Sequence, residues 1–113
     1  MPGNSPLRGD IYHVRFEPPV GKHYAVVVTA DAINAYSDSL VVAVITTKHM
    51  DRIYPHQVKI PKGVLDVPAK VKCDNLMMWP KGELSSNTYV ATIPKRDMPG
   101  LDMALLNALD LWH

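Results

Sequence analysis

Leu40-Val41-Val42-Ala43-Val44-Ile45-Thr46-Thr47 is the stretch that decides the fold. Apolar side chains run through it without interruption, nearly all are β-branched, and the run is too short for an ordinary amphipathic helix. Such a run is what a central strand shows when both its faces are covered. Tyr24-Ala25-Val26-Val27-Val28-Thr29 reads the same way, so two central strands anchor the middle of the chain.

Working outward, residues 10–16 place Tyr12, Val14 and Phe16 in alternation with His13 and Arg15, the period-2 pattern of a half-buried strand. It stops at Glu17-Pro18-Pro19, because proline cannot donate to a ladder, and Gly21 permits the turn that follows. Residues 30–39 mix Asp, Asn and Ser with alanines and predict at most a helical turn and then a loop. Residues 56–60 alternate between Pro55 and Pro61, as a strand near a sheet edge would. In residues 69–76, Val71 and Cys73 alternate with Lys70 and Lys72, giving a fifth strand, and residues 88–93 give a shorter sixth. Trp79-Pro80-Lys81-Gly82 reads as a tight connection between them.

One convincing helix closes the chain. Asp97 is placed to cap it, Pro99 is tolerated in its first turn, and Leu101, Leu105, Ala108, Leu109 and Trp112 recur at helical spacing. Gly100 weakens the first turn, so the onset can slip by a few residues. Six short strands with proline-rich turns and a terminal helix predict a mainly β (α+β) domain: a small β-barrel or strongly bent sheet with the helix over one opening.

The chain has 113 residues, enough for one domain and too few for two. Residues 1–7, rich in proline, glycine, asparagine and serine, are expected to form an exposed arm, and residues 8–113 the single domain. Apolar residues at 47% and charged residues at 20% disfavour intrinsic disorder and a coiled coil. A single cysteine, Cys73, excludes an intrachain disulfide, and no clustered ligand pattern calls for a metal. No apolar run approaches the roughly 20 residues of a membrane span, and residues 1–6 lack the basic and apolar regions of a secretory leader. A cytoplasmic protein is expected. The net charge of +1 hides an uneven spread, with basic side chains mostly between Arg8 and Lys72 and aspartates after residue 97. That permits a local basic face but is no global nucleic-acid signature.

Arg8-Gly9-Asp10-Ile11-Tyr12, then Phe16-Glu17-Pro18, then Ala25-Val26-Val27-Val28-Thr29, resembles the opening of the MazF/PemK family of toxins from type II toxin–antitoxin systems. Val42-Ala43-Val44-Ile45-Thr46-Thr47 is similar to the family's strand ending in threonine. Tyr54-Pro55-His56-Gln57-Val58 is similar to its short Tyr-Pro-x-x-Val segment. Residues 71–84 and 105–111 resemble the strand, turn and closing helix that follow, so the resemblance spans nearly all of residues 8–112. It implies a small SH3-like barrel of the kind shared with Kid and CcdB-like toxins. It also implies a homodimer that cleaves single-stranded RNA without metal or other cofactor, and a cognate antitoxin with a disordered tail that neutralises it.

Cleavage of that kind withdraws the ribose 2'-proton, stabilises charge on the phosphoryl oxygens and protonates the leaving 5'-oxygen. By the resemblance Thr46 is the catalytic threonine, with Thr47 the fallback if the register slips by one. The family's arginine at the start of the second strand falls on His23 or Tyr24, after a loop shortened to Val20-Gly21-Lys22. Two readings of His23 stay open: a general acid or base with Lys22 supplying the phosphate charge, or a loop side chain in a site that has lost turnover. Further candidates for RNA contact are Arg15 (with His13) on the polar face of the first strand, Lys48 and His49 (with Arg52) in the loop after Thr46, and Asp74 and Asn75 at a strand end. Asp74 either orients Lys22 or His23 or belongs to a turn. Trp79 either stacks on a base or packs, and Cys73 reads as core. The alternative function is a binding protein that keeps the barrel and dimer without catalysis and grips RNA, the antitoxin, or a protein target such as DNA gyrase.

Overall fold

The computed structural model describes residues 5–111. Six antiparallel strands form one curled sheet, an open half-barrel. They are β1 (Asp10–Arg15), β2 (Lys22–Val27), β3 (Ser39–Thr46), β4 (Gln57–Lys59), β5 (Lys70–Pro80) and β6 (Tyr89–Thr92), in the order β4-β5-β3-β2-β1-β6. Two helices complete it, α1 (Asp31–Tyr36) and α2 (Met98–Leu109). β2 and β3 lie centrally, as their uninterrupted apolar runs predict, and the proline-bounded β4 is an edge.

The sheet buries both faces. On one, Ile11, Val26, Ala43, Ile45, Val71 and Cys73 pack under Leu101 and Ala104 of α2. On the other, Tyr12, Val14, Phe16, Ala25, Val27, Val42 and Val44 pack with Leu84, and Trp79 rests against them. The alternation along β3, with Ala43 and Ile45 to one side and Val42 and Val44 to the other, explains why that strand has no polar face. Cys73 is core, and burial chiefly, with Asp74 adding and Arg8 opposing, pushes its thiol up to about 11.

Five local readings change. β5 is longer than residues 69–76: its register against β3 jumps between Val44↔Lys72 and Ala43↔Leu76, so 73–75 bulge and pairing resumes as far as Ser39↔Pro80. Trp79 and Pro80 are therefore strand, and the turn is a 3-10 segment at Lys81–Glu83. Proline is tolerated there because it sits at the strand's last position. The segment after β2 forms six residues of helix, fixed by one local bond and by a distant lysine invisible in its local composition. Buried Asn34 donates from Nδ2 to the Thr29 carbonyl, and Lys81 Nζ donates to the carbonyls of Asn34 (3.0 Å) and Ala35 (3.4 Å). Asp97 precedes α2 but makes no capping bond, its carboxylate lying 3.8 Å from Arg96 Nε. Leu109, counted with the apolar stripe of α2, is exposed.

Gly100 belongs to α2 after all, and a Cβ there would sit 3.3 Å from Val58 Cγ2, so the missing side chain lets the helix approach β4. Of the expected arm only 5–7 are described: Pro6 is buried and the Leu7 N–H donates to Asp10 Oδ2. Trp112, read as helix, lies outside the described residues. Arg8-Gly9-Asp10 proves to be a structural knot. Arg8 joins the Val28 carbonyl (2.9 Å) to Asp102 (2.6 Å), and Asp10 accepts from Thr92 Oγ1 (2.7 Å).

Candidate functional site

β3 ends at Thr46, and the 47–56 segment leaves the sheet there and folds back beside it. Three tethers hold it. Lys70, opposite Thr46 in the β3–β5 register and only 3% exposed, donates from Nζ to the carbonyls of His49 (2.8 Å) and Arg52 (2.9 Å). Tyr54 and Gln57 exchange bonds, the Tyr54 N–H to Oε1 and the Gln57 N–H to the Tyr54 carbonyl. Asn107 of α2 donates to the Pro55 carbonyl. His49 takes a left-handed backbone (φ 56°), uncommon for a residue with a side chain, and its carbonyl is one of the two that Lys70 holds.

Between this segment and the sheet lies an open cleft of about 380 Å³, lined by Thr46, Lys48, His49, Asp51, Arg52, Tyr54, Gln57, Lys70 and Lys72. Its electrostatics are cationic, with four Lys or Arg side chains against one aspartate. Thr46 Oγ1 accepts the Lys48 N–H at 3.1 Å, the local strand-end bond common for threonine. Because the hydroxyl is the acceptor there, its own proton is left to donate to an oxygen in the cleft. One wall is a stacked series: the Arg52 guanidinium lies 5.5 Å from the Tyr54 ring centre, and Tyr54 stacks on His56 (5.7 Å, 14°).

A second cleft, about 370 Å³, flanks the other side of the same strand end and is lined by His13, Lys22, His23, Tyr24, Ile45 and Thr47. His23 Nδ1 lies 3.3 Å from the Ile45 carbonyl. A carbonyl only accepts, so this contact takes the Nδ1 proton, and in the neutral ring the lone pair is then on Nε2. One register step beyond Tyr24↔Ile45, His23 is the cross-strand neighbour of Thr46.

The structure thus divides the sequence-derived candidates. Thr46, Lys48 and His49 share the first cleft, while His23, Lys22 and Thr47 share the second. Arg15 borders a neighbouring hollow with His13 and Lys22, and another with Asn75, Met77 and Trp79. Asp74 turns away from Lys22 and His23: the bulge in β5 directs it to His56 Nε2, 3.7 Å off. Trp79 packs edge-on to Phe16 at 4.9 Å. Among the described residues no three His, Cys, Asp or Glu side chains come together as metal ligands would. Lys70, Lys72, Tyr54 and Gln57 were not foreseen. The alternation of Lys70 and Lys72 with Val71 and Cys73 points them to solvent, but the 47–56 segment folds back over Lys70, whose Nζ holds the His49 and Arg52 carbonyls, and leaves Lys72 partly buried.

Residues 7–109 match the family model described as the PemK-like, MazF-like toxin of type II toxin–antitoxin system. No curated protein matches the chain. Among solved structures it is similar to an endoribonuclease from a mycobacterial species in complex with its cognate antitoxin (27% identity, 96% of this chain and 99% of that one, TM-score 0.80). A second mycobacterial endoribonuclease matches at 26% identity over 97% of each chain with a TM-score of 0.77. MazF in a MazE–MazF complex from Deinococcus radiodurans, at 19% identity over 93% of this chain and 95% of that one (TM-score 0.71), shares the fold. With a half-barrel and terminal helix common to all of these, and a family match over nearly its whole length, the chain belongs to the PemK-like, MazF-like toxins of type II toxin–antitoxin systems.

Proposed function

We propose that the protein is a toxin endoribonuclease that cuts single-stranded RNA by attack of a ribose 2'-hydroxyl on the adjacent phosphorus. The observation that carries this reading is Thr46: a hydroxyl with a free proton at the lip of a cationic cleft, at a strand end, in a chain resembling endoribonucleases. In the step, the 2'-oxygen loses its proton and bonds to phosphorus, and the bond from phosphorus to the 5'-oxygen breaks. That oxygen takes up a proton from water, the proton removed from the 2'-oxygen being returned to solvent, and the ends are a 2',3'-cyclic phosphate and a 5'-hydroxyl. The substrate straddles the β3 end between the two clefts, where His23 is the cross-strand neighbour of Thr46: Thr46 donates to a phosphoryl oxygen as negative charge grows there, and the neutral His23 ring takes the 2'-proton on Nε2. Lys22, Lys48, His49 and Arg15 track the backbone on either side of the β3 end, and Thr47 faces the second cleft beside His23. Asn75 lies farther along the same strand path, and Asp74 acts on the first cleft only through His56.

The partners belong to the same reading. A cognate antitoxin is supported by the antitoxin complexes among the similar structures, and an acidic segment suits the cationic cleft. A homodimer is supported by apolar surface on and beyond α2, where Met103, Leu109 and Leu111 are about half exposed. A cytoplasmic site of action follows from an RNA substrate.

The test incubates wild type, Thr46→Ala and His23→Ala with a long single-stranded RNA in excess EDTA and maps new ends. Cleavage by wild type with the stated ends is expected, slowed about 10²–10³-fold in Thr46→Ala and about 10²–10⁴-fold in His23→Ala. The second reading, a binding protein without turnover, is favoured by the imidazole of His23 where the resembled family carries a guanidinium. Intact RNA with folded wild type would decide for it.

A further inference from the structure

Lys70 is the one basic side chain of the first cleft that is fully buried, and it is not paired with any carboxylate among the described residues. A buried charge is normally matched by an opposite charge, because removing an ion from water is costly. Here the ammonium has only two backbone carbonyls, His49 at 2.8 Å and Arg52 at 2.9 Å, while an ammonium carries three N–H donors. The charge is thus held in place on the floor of the cleft, across the β3–β5 register from Thr46, with one N–H making no bond among the described residues. In a site without a guanidinium at position 23, that is the feature a phosphate oxygen would complete.

We infer that Lys70 is a phosphate-binding residue of this cleft: its third N–H and its uncompensated charge take a phosphodiester oxygen of single-stranded RNA bound at Thr46. The same side chain keeps the 47–56 segment folded over the strand end, so it joins loop position to anion binding. The inference rests on RNA being the ligand, and not on turnover.

The test is therefore a binding measurement. Wild type, Lys70→Met, Lys70→Gln and Lys70→Arg are titrated with a single-stranded 2'-O-methyl RNA, which lacks the nucleophile, by fluorescence anisotropy over a series of NaCl concentrations. Folding is checked by circular dichroism. Removing one phosphate contact is expected to weaken binding about tenfold at low salt. It should also make the slope of log K against log salt shallower by about 0.7 in both Met and Gln, with Arg close to wild type. Gln can still donate to a loop carbonyl, so it remains readable if the Met variant does not fold. Slopes equal to wild type in Met and Gln, or a slope changed in Met but not in Gln, would mean that Lys70 only tethers the loop and would overturn the inference. Wild type that binds no RNA would overturn it as well. Binding with the expected slopes but no cleavage of ordinary RNA would uphold Lys70 and remove the endoribonuclease reading alone.

Discussion

Thr46 is the last residue of β3 and Thr47 the first beyond it, and the two open into different clefts. Their substitutions should separate accordingly. Thr46→Ser keeps the hydroxyl that accepts from Lys48 and is expected to hold cleavage within about tenfold of wild type, whereas Thr46→Ala loses the donor and falls about 10²–10³-fold. Thr47→Ala should change RNA affinity more than the rate of the bound complex, and single-turnover kinetics across the three variants checks this. The strand end at Thr46 was legible in the sequence because it is a local event, the stop of an apolar run, whereas its candidacy as a site residue came from the family resemblance. Lys70 was not legible, because nothing within β5 announces that a segment about 20 residues earlier will cover it. Its burial is a property of the loop, and only the pair of carbonyls at 49 and 52 reveals it.

Strands were read to within a residue or two wherever apolar pattern alone sets them, as in β1, β3 and β6, and the errors fall where a partner overrides local preference. Trp79-Pro80 has turn chemistry, yet Leu40 and Ser39 hold it in the ladder. The same holds for α1, whose last carbonyls have no basic residue of their own in the final turn and borrow Lys81 from the end of β5. Lys81→Met, which keeps the aliphatic stem, should cost about 1–2 kcal/mol. It should also raise amide hydrogen exchange selectively over residues 31–36, with cleavage per folded molecule unchanged. Gly9 makes a stricter demand at the start of β1. Its φ is +98°, and a Cβ would lie 3.0 Å from Met98 Sδ at the start of α2. Gly9→Ala is expected to destabilise by about 1–3 kcal/mol, read as a lowered midpoint in urea at unchanged slope.

A sheet buried on both faces carries one titrating group in each core, and the two make the molecule sensitive to alkali. Burial raises the Cys73 thiol from 9.0 to about 11, and burial with the nearby Asp10 charge and Tyr89 raises the Tyr12 hydroxyl from 10.0 to about 12. In each case the folded protein holds its proton at a pH where the unfolded chain has lost it, so the unfolded state binds fewer protons and stability falls as pH rises. The thiol acts between about pH 9 and 11 and the phenol between about 10 and 12. A shift of two pH units corresponds to about 2–3 kcal/mol for each group, and below pH 9 neither contributes. Urea unfolding of wild type between pH 7 and 11 should therefore be flat to about pH 9 and then decline. Cys73→Ala should start lower, because it empties a packed site, but stay flat to about pH 10, with the remaining decline removed by Tyr12→Phe. A wild-type curve flat to pH 11 would mean that the thiol ionises in the folded protein as easily as in the unfolded chain, which its complete burial in the core that β5 shares with α2 contradicts.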